Sequence, residues 1–276
     1  NCLLKQSYPN FKIYILSNGC TDRTNEIIAK YSNRDKRIEI YFLKEANLSK
    51  ALCYGLQVIK EEFVMRIDSG DITDINRVSK TLAFMKKNKD CDIAYSDWYL
   101  QDGANKKLNI LPFKILKEDL IYRNKIAHST ICFRKSIFEE YNFNYSGIGN
   151  LYLYFGPTQD LLLISISKFI FNLNIEKIPD TFSEVTMDIK DSISLKNRIK
   201  QSRIALRIIL INNLKLIKES NNFFKKIKSL SILFIIIFRF LKYNESPRNI
   251  FKIFYLSIRK LSDKLIYQKI ANLYFL

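Results

Sequence analysis

Phe63-Val64-Met65-Arg66-Ile67-Asp68-Ser69-Gly70-Asp71-Ile72 is the stretch that decides the fold. Its first five residues, apolar except for Arg66, form a run of strand length that breaks directly into a loop holding two carboxylates. Beyond the loop, Thr73 or Asp74 can cap a helix that carries Ile75, Val78, Leu82 and Met85 at spacings of three, four and three. Strand, polar loop and helix in that order are the repeating unit of an α/β sheet.

The same order extends in both directions. Residues 11–16 are β-branched and aromatic and end at Asn18-Gly19, so they read as a strand entering a turn. Thr21 or Asp22 can cap a helix with Ile27, Ile28 and Tyr31 on one face. Residues 38–42 read as a second strand, 48–59 as a second helix, and 91–95 as a strand after the acidic loop. Such alternation predicts a mainly parallel sheet covered on both faces. Residues 101–190 are less regular, with a strand expected at 129–133 and an apolar helix at 160–171. From about Leu195 the pattern is helical, with Pro247 separating the last two helices. The opening Asn1-Cys2-Leu3-Leu4 reads as the tail of an apolar helix, so a preceding strand is expected to be missing.

Apolar residues make up 47% and charged residues 26% of the 276, which fits a globular chain and argues against wholesale disorder. Five widely spaced cysteines without a CxxC pair, and a single His, argue against a thiolate metal site and for reduced thiols. No GxGxxG follows any expected strand, which disfavours a dehydrogenase. The net charge of +18 is uneven: residues 200–276 hold sixteen Lys/Arg against three acids.

In open α/β sheets ligands gather where strands end at their carboxyl edge. The loop Ser17-Asn18-Gly19-Cys20-Thr21-Asp22 offers small polar side chains and backbone N–H groups at a helix start. It suits a nucleotide base, ribose or phosphate, although a strand-to-helix turn needs Asn and Gly anyway. The loop Asp68-Ser69-Gly70-Asp71 suits Mg²⁺ or Mn²⁺, which bind through one or two carboxylates plus substrate phosphates. Read alone, it equally allows Asp68 to end a strand while Asp71 or Thr73 caps the next helix.

The joint pattern narrows these alternatives. Cys20-Thr21-Asp22-Arg23-Thr24, Leu48-Ser49-Lys50-Ala51-Leu52 with Gly55-Leu56, the acidic loop with Arg77, His128-Ser129-Thr130 with Phe133-Arg134-Lys135-Ser136, and Gln159-Asp160 occur in one order. The set resembles family 2 glycosyltransferases of the GT-A fold, a Rossmann-like nucleotide-diphospho-sugar transferase architecture, particularly bacterial enzymes that build lipopolysaccharide, capsule or exopolysaccharide. The resemblance covers roughly residues 1–195 and lacks the family's first strand. It implies a glycosyltransferase domain at 1–195, with a nucleotide-sugar half at 1–100 and an acceptor half at 101–195, and a helical extension at 196–276.

By position, the resemblance implies that Ser17 and Asn18, with Asp22 in the same loop, help hold the nucleotide. Asp68 matches the first Asp of the DxD-type loop at the ribose and diphosphate, with Arg66 and Ser69 beside it. Gly70 stands where the family usually has the Asp nearest the metal, and glycine there lets the backbone approach the diphosphate. Asp71 matches the Asp that often follows, so Asp68 and Asp71 are the implied metal residues for Mg or Mn. Asp160 matches the general base, with Gln159 in place of the usual Glu; read alone, it is a helix N-terminal Asp favoured by the dipole. The implied reaction is inverting transfer from a nucleotide-sugar donor to a saccharide or lipid-linked saccharide acceptor. His128 has two readings, a contact to diphosphate or metal and a structural role; Trp98, Arg77 and Arg134 have the same two, structural ion pairing being the more frequent for such Arg residues. Gly70 and Gln159 also motivate a rival, a degenerate member acting as a membrane-associated scaffold or binding protein.

The tail carries its own expectation. Residues 230–241 are strongly apolar but too short to span a bilayer, which takes about 20 apolar residues. The helix after Pro247 places Phe254, Ile258, Leu261 and Leu265 on one face, with lysines and arginines elsewhere. Basic amphipathic helices of this kind lie on anionic membranes, or pack on a domain with their lysines solvated. The reading favours a cytoplasmic protein held peripherally on the inner face of the bacterial membrane. Nucleic acid is disfavoured, because no binding module accompanies the charge.

Overall fold

A computed structural model describes residues 1–102, 105–120, 126–140, 159–169 and 171–186, with six further positions from 209 to 221. The element order is β1 (Ile13–Asn18), α1 (Thr24–Ser32), β2 (Ile38–Leu43), α2 (Leu48–Val58), β3 (Phe63–Met65), β4 (Ile72–Thr73), α3 (Arg77–Lys87), β5 (Ile93–Asp102) and β6 (Asn105–Asn109). After two 3-10 turns, Lys117–Leu120 and His128–Thr130, come β7 (Cys132–Arg134), α4 (Ser136–Glu140), α5 (Gln159–Phe169) and β8 (Ile175–Thr186).

Local chemistry sets several boundaries. α2 starts where Asn47 accepts the Lys50 N–H at 3.0 Å, a side-chain cap on an otherwise orphaned donor. α3 starts two residues later than its apolar spacing suggests, leaving Ile75 exposed ahead of it. Asp74 takes the Asn76 N–H at 2.7 Å, and the distant Gln6 side chain takes the Val78 N–H at 2.9 Å, so the first turn is anchored from outside the helix. The expected strand at 129–133 begins only at Cys132, because Thr130 turns both its hydroxyl and its N–H back onto the Ala127 carbonyl. α1 buries none of its residues and leaves Ile27 exposed. The β1–β2 ribbon it packs on is too narrow to cover an apolar helix face.

The strands form two sheets among the described residues. β1 and β2 pair in parallel, Ile13 opposite Ile38. The other sheet runs β3-β7-β5-β8-β4, with β6 hydrogen-bonded to β5. Parallel pairing, expected to predominate, joins β1–β2 and β5–β8 in the two longest registers; the other four described pairings are antiparallel. β6 is antiparallel because it returns from β5 in a hairpin, and β7 and β4 enter the sheet reversed relative to their neighbours. Met85, Cys91, Ala94, Cys132 and Ile178 form a buried cluster between α3 and this sheet, with Phe63, Met65 and Phe84 packed on it. All five cysteines are free thiols. Burial pushes the Cys91 and Cys132 thiols up to about 12, as reduced core residues require.

Most of the expected extension at 196–276 lies outside the described residues. Its described positions are packed: Ile209, Asn212, Asn213 and Leu216 are buried, and the Asn212 amide donates to the Leu120 carbonyl at 3.1 Å and to Ser165 on α5 at 3.0 Å.

Candidate functional site

β3 ends at Met65, yet the chain stays on the sheet for one more residue, because the Arg66 N–H donates to the Ile131 carbonyl at 3.1 Å. It then turns. The Asp71 N–H closes on the Asp68 carbonyl at 3.2 Å, and Gly70 sits at φ +92° with open space where a Cβ would stand. That backbone is strained for any L side chain by about 1–3 kcal/mol. Gly70 is therefore a conformational requirement of this loop as well as a missing carboxylate. β4 pins the far end of the loop to β8, Ile72 opposite Glu184.

The turn separates the two acids. The Asp68 side chain is 48% exposed and pairs with Arg66 Nη2 at 2.5 Å, while Asp71 is buried. The Arg66 guanidinium is almost covered, and its Nη1 meets His128 Nδ1. A guanidinium only donates, so the imidazole nitrogen facing it must be bare and the ring neutral. Burial, reinforced by the Arg66 charge, accordingly holds the His128 pKa well below the usual histidine value.

This shift has a measurable sign. Below 6.5 the unfolded His128 takes up a proton that the folded ring refuses, so unfolding becomes proton-consuming and stability falls with pH. The loss is expected to approach about 1.4 kcal/mol per pH unit between pH 6.5 and the folded value. His128 is the single His, so His128→Gln should remove that slope in urea titrations run from about pH 7 to pH 5. A slope unchanged in the variant would contradict the neutral, buried ring.

Arg77 ties the cluster together from beneath. It is only 4% exposed, and its Nη2 donates to the carbonyls of Arg66 and Ser129, both at 2.8 Å. One buried guanidinium thus fixes the backbone of the acidic loop's entrance and of the His128 turn. Burial pulls its pKa down to about 10. Sequence reading placed Arg77 among structural ion pairs, but its partners at these distances are backbone carbonyls, which no residue-type pattern announces. Of the two readings of Arg134 its contacts favour the structural one: it donates to the carbonyls of Cys91 and Met85 and lies over the Phe63 ring.

A cavity of about 950 Å³ lies beside this cluster. At its polar end stand Asn18, Arg66, Asp68, Ser69, Gly70 and His128. Its apolar part runs between β1 and β3, the facing edges of the two sheets. Ser17 and Asp22 are not among its lining residues. Ser17 is buried with its hydroxyl on Asn25 Oδ1 at 2.6 Å, and exposed Asp22 accepts the Thr24 N–H at 3.0 Å, which stabilises its ionised form. Asn18 takes the Asn47 N–H on its side-chain oxygen at 2.8 Å, linking the β1 loop to the start of α2. Gly19, at φ +65°, is needed there: a Cβ would come within 2.5 Å of the Ala46 nitrogen.

α5 reaches the same cavity through Leu163. Asp160 stands three positions earlier on this helix, and positions three apart share a helix face. The Asp160 side chain lies outside the described residues. Among the described residues there is no cluster of three His, Cys, Asp or Glu able to cage a metal ion. The acidic loop, whose Asp68 is exposed and whose largely buried Asp71 also lines the cavity, fits a hard divalent cation held together with the phosphates of a bound substrate.

Known proteins place this arrangement. The solved structure of TarS 1-349 from S. aureus, in complex with UDP-GlcNAc, superposes with a TM-score of 0.58 at 16% identity, covering 99% of this chain and 75% of that one. Its fold is GT-A, and so is the fold here. Glycosyltransferase GlyG of Streptococcus pneumoniae is 30% identical over 104 residues, 37% of this chain and 34% of that protein. The O-antigen biosynthesis glycosyltransferase WbnJ of Escherichia coli is 27% identical over 139 residues, 49% of this chain and 54% of that one. The chain thus matches about a third to a half of the length of these two relatives. Residues 1–142, half of the chain and the part that holds β1 to α4 and the whole Arg66–Asp68–His128 cluster, match the family described as Glycosyl transferase family 2, and the chain belongs to that family.

Proposed function

We propose that this chain transfers a sugar, with inversion, from a nucleoside-diphosphate sugar to a saccharide or lipid-linked saccharide of a bacterial surface polysaccharide. The observation that carries the reading is the polar end of the cavity, where Asp68, Arg66, neutral His128 and the Gly70 backbone converge at the carboxyl end of β3. The names of WbnJ, an O-antigen enzyme, and of TarS, solved with UDP-GlcNAc, support the substrate classes.

Asn18 and its loop hold the nucleotide, with Ser17 and Asp22 shaping that loop through Asn25 and Thr24. Arg66 and Ser69 face the diphosphate. A carboxylate offers two oxygens and Arg66 takes one of them, so Asp68 has the capacity to hold Mg²⁺ or Mn²⁺ with the donor's phosphates. Asp71, largely buried but lining the same cavity, is the second carboxylate of this metal pair. When bound, such a cation neutralises charge on the diphosphate. Asp160 takes the proton of the acceptor hydroxyl as its oxygen bonds to the anomeric carbon. The bond from that carbon to the diphosphate breaks, its electron pair leaving with the nucleotide. Arg66 meets the charge that develops there. No helix among the described residues is long and apolar enough to cross a membrane. The high positive charge of residues 200–276 supports a peripheral position on the inner face of the cytoplasmic membrane.

The test is calorimetric titration with a panel of UDP-, GDP- and dTDP-sugars, with and without Mn²⁺, on the chain and on Asp68→Asn. Binding weakened by about tenfold or more in the variant, with an unchanged melting temperature, is expected for loss of a charge-assisted contact. Equal binding in both would remove Asp68 from the site.

A further inference from the structure

Among the described residues, the C-terminal extension meets the domain along a face with aliphatic ends and a polar centre. Ile209, Asn212, Asn213 and Leu216 are helical and buried. Their spacings of three, one and three put all four on one helix face. The middle of that face is a pair of asparagines with no exposed surface. The Asn213 amide stays local, donating to the Ile209 carbonyl four residues back at 2.8 Å. Asn212 reaches out of its helix. Its Nδ2 donates to Ser165 Oγ on α5 at 3.0 Å, and to the carbonyl of Leu120, which ends the first 3-10 turn, at 3.1 Å. Ser165 and Leu120 are themselves buried, so the contact is dry on every side.

An amide nitrogen carries two hydrogens, one for each of these acceptors. An apolar face slides or rotates against its neighbour at small cost, whereas a buried donor with two fixed acceptors is satisfied in a single register. We propose that Asn212 is a positioning residue for sugar transfer. It locks α5 to the extension and to the 117–120 turn, and through α5 it sets where Asp160 stands at the cavity. The arrangement of α5 gives the lock its purchase. Successive residues are about 100° apart around a helix, so Ser165 stands about 200° from Leu163, which lines the cavity. Asp160 stands about 60° from Leu163 on the same wheel. The extension therefore grips α5 on the side opposite its cavity face. The role given to Asp160 rests on the transferase reading; the lock on α5 does not.

Hydrogen exchange and kinetics test the two parts. In Asn212→Ala, the amides of α5 are expected to exchange about tenfold or more faster, while those of α3 and β5 keep their rates. The kcat for sugar transfer should fall by about tenfold or more, because a small misplacement of a reacting group is costly, while donor affinity by calorimetry stays unchanged. Ser165→Ala keeps the Leu120 contact and should act in the same direction by less. Combining it with Asn212→Ala should add nothing, since Ser165 acts through the same hydrogen bond. Exchange that quickens equally in α5, α3 and β5 would make Asn212 a stability residue only and overturn the proposal. So would an unchanged kcat beside a loosened α5, or additive effects of the two substitutions. If the parent chain transfers sugar from no donor, the transferase reading falls by itself. The α5 amides then decide the lock: faster exchange confined to α5 upholds it, and unchanged exchange overturns it.

Discussion

Asp160→Asn is expected to cut sugar transfer by about two to four orders of magnitude while leaving donor affinity and folding intact. Asn keeps the volume and a hydrogen-bonding oxygen but cannot accept the proton of an attacking hydroxyl. The residue stands at the start of α5, where a carboxylate also profits from the helix dipole by about 0.3–1 kcal/mol, so a small drop in melting temperature is expected alongside. The decisive comparison is between kcat and donor affinity. A fall in turnover with unchanged donor binding assigns Asp160 to the proton transfer. A fall of equal size in both, or a loss of folding, would assign it to the helix start and leave the base to be found elsewhere.

The second large effect is expected at Arg77, and it should appear first in stability. Arg77→Met leaves the carbonyls of Arg66 and Ser129 without their common donor. Each buried orphan costs about 1–3 kcal/mol, and removing a desolvated guanidinium returns part of that, so a net loss of about 2–4 kcal/mol is expected from urea midpoints. Arg77→Lys keeps the charge, but an ammonium cannot reproduce the planar fork, so an intermediate loss is expected. The functional signature is separate: the two carbonyls belong to the segments that carry Arg66 and His128, so donor affinity should weaken in proportion in both variants. A variant as stable as the parent would show that other groups fix these segments.

The strand at Phe63 and the acidic loop were legible because their determinants are local: a largely apolar run and a glycine. β8 was not. It carries Pro179 and then Asp180 at φ +50°, features that ordinarily exclude a central strand. It survives because the register breaks between Tyr95 and Asp97 of β5: Lys177 pairs with Tyr95 and Phe182 with Asp97, leaving the irregular residues between them out of the ladder. No reading of 175–186 in isolation supplies the partner that tolerates the bulge. The candidate site divides in the same way. Asp68 and Gly70 declare themselves in the loop, whereas the burial of Asp71, the neutrality of His128 and the two carbonyls under Arg77 depend on groups far away in the chain. Ser17 and Asp22 show that the same residue types also serve the turn, through Asn25 and Thr24, which their identity alone does not reveal.

The division of the strands into two sheets has an energetic consequence. A two-stranded ribbon covered by α1, which buries none of its residues, and by α2 on β1 has little stability of its own, so β1, β2 and these helices should open as a cooperative unit at lower free energy than the sheet containing β5 and β8. Amide protons of β1 and β2 would then exchange with solvent well before those of β5. A molecule that grips Asn18 on one side of the cavity and Asp68 on the other spans the two units, and its binding energy becomes the bond between them. Occupancy of the cavity would be written in the exchange rates of a ribbon that contributes a single side chain to its polar end.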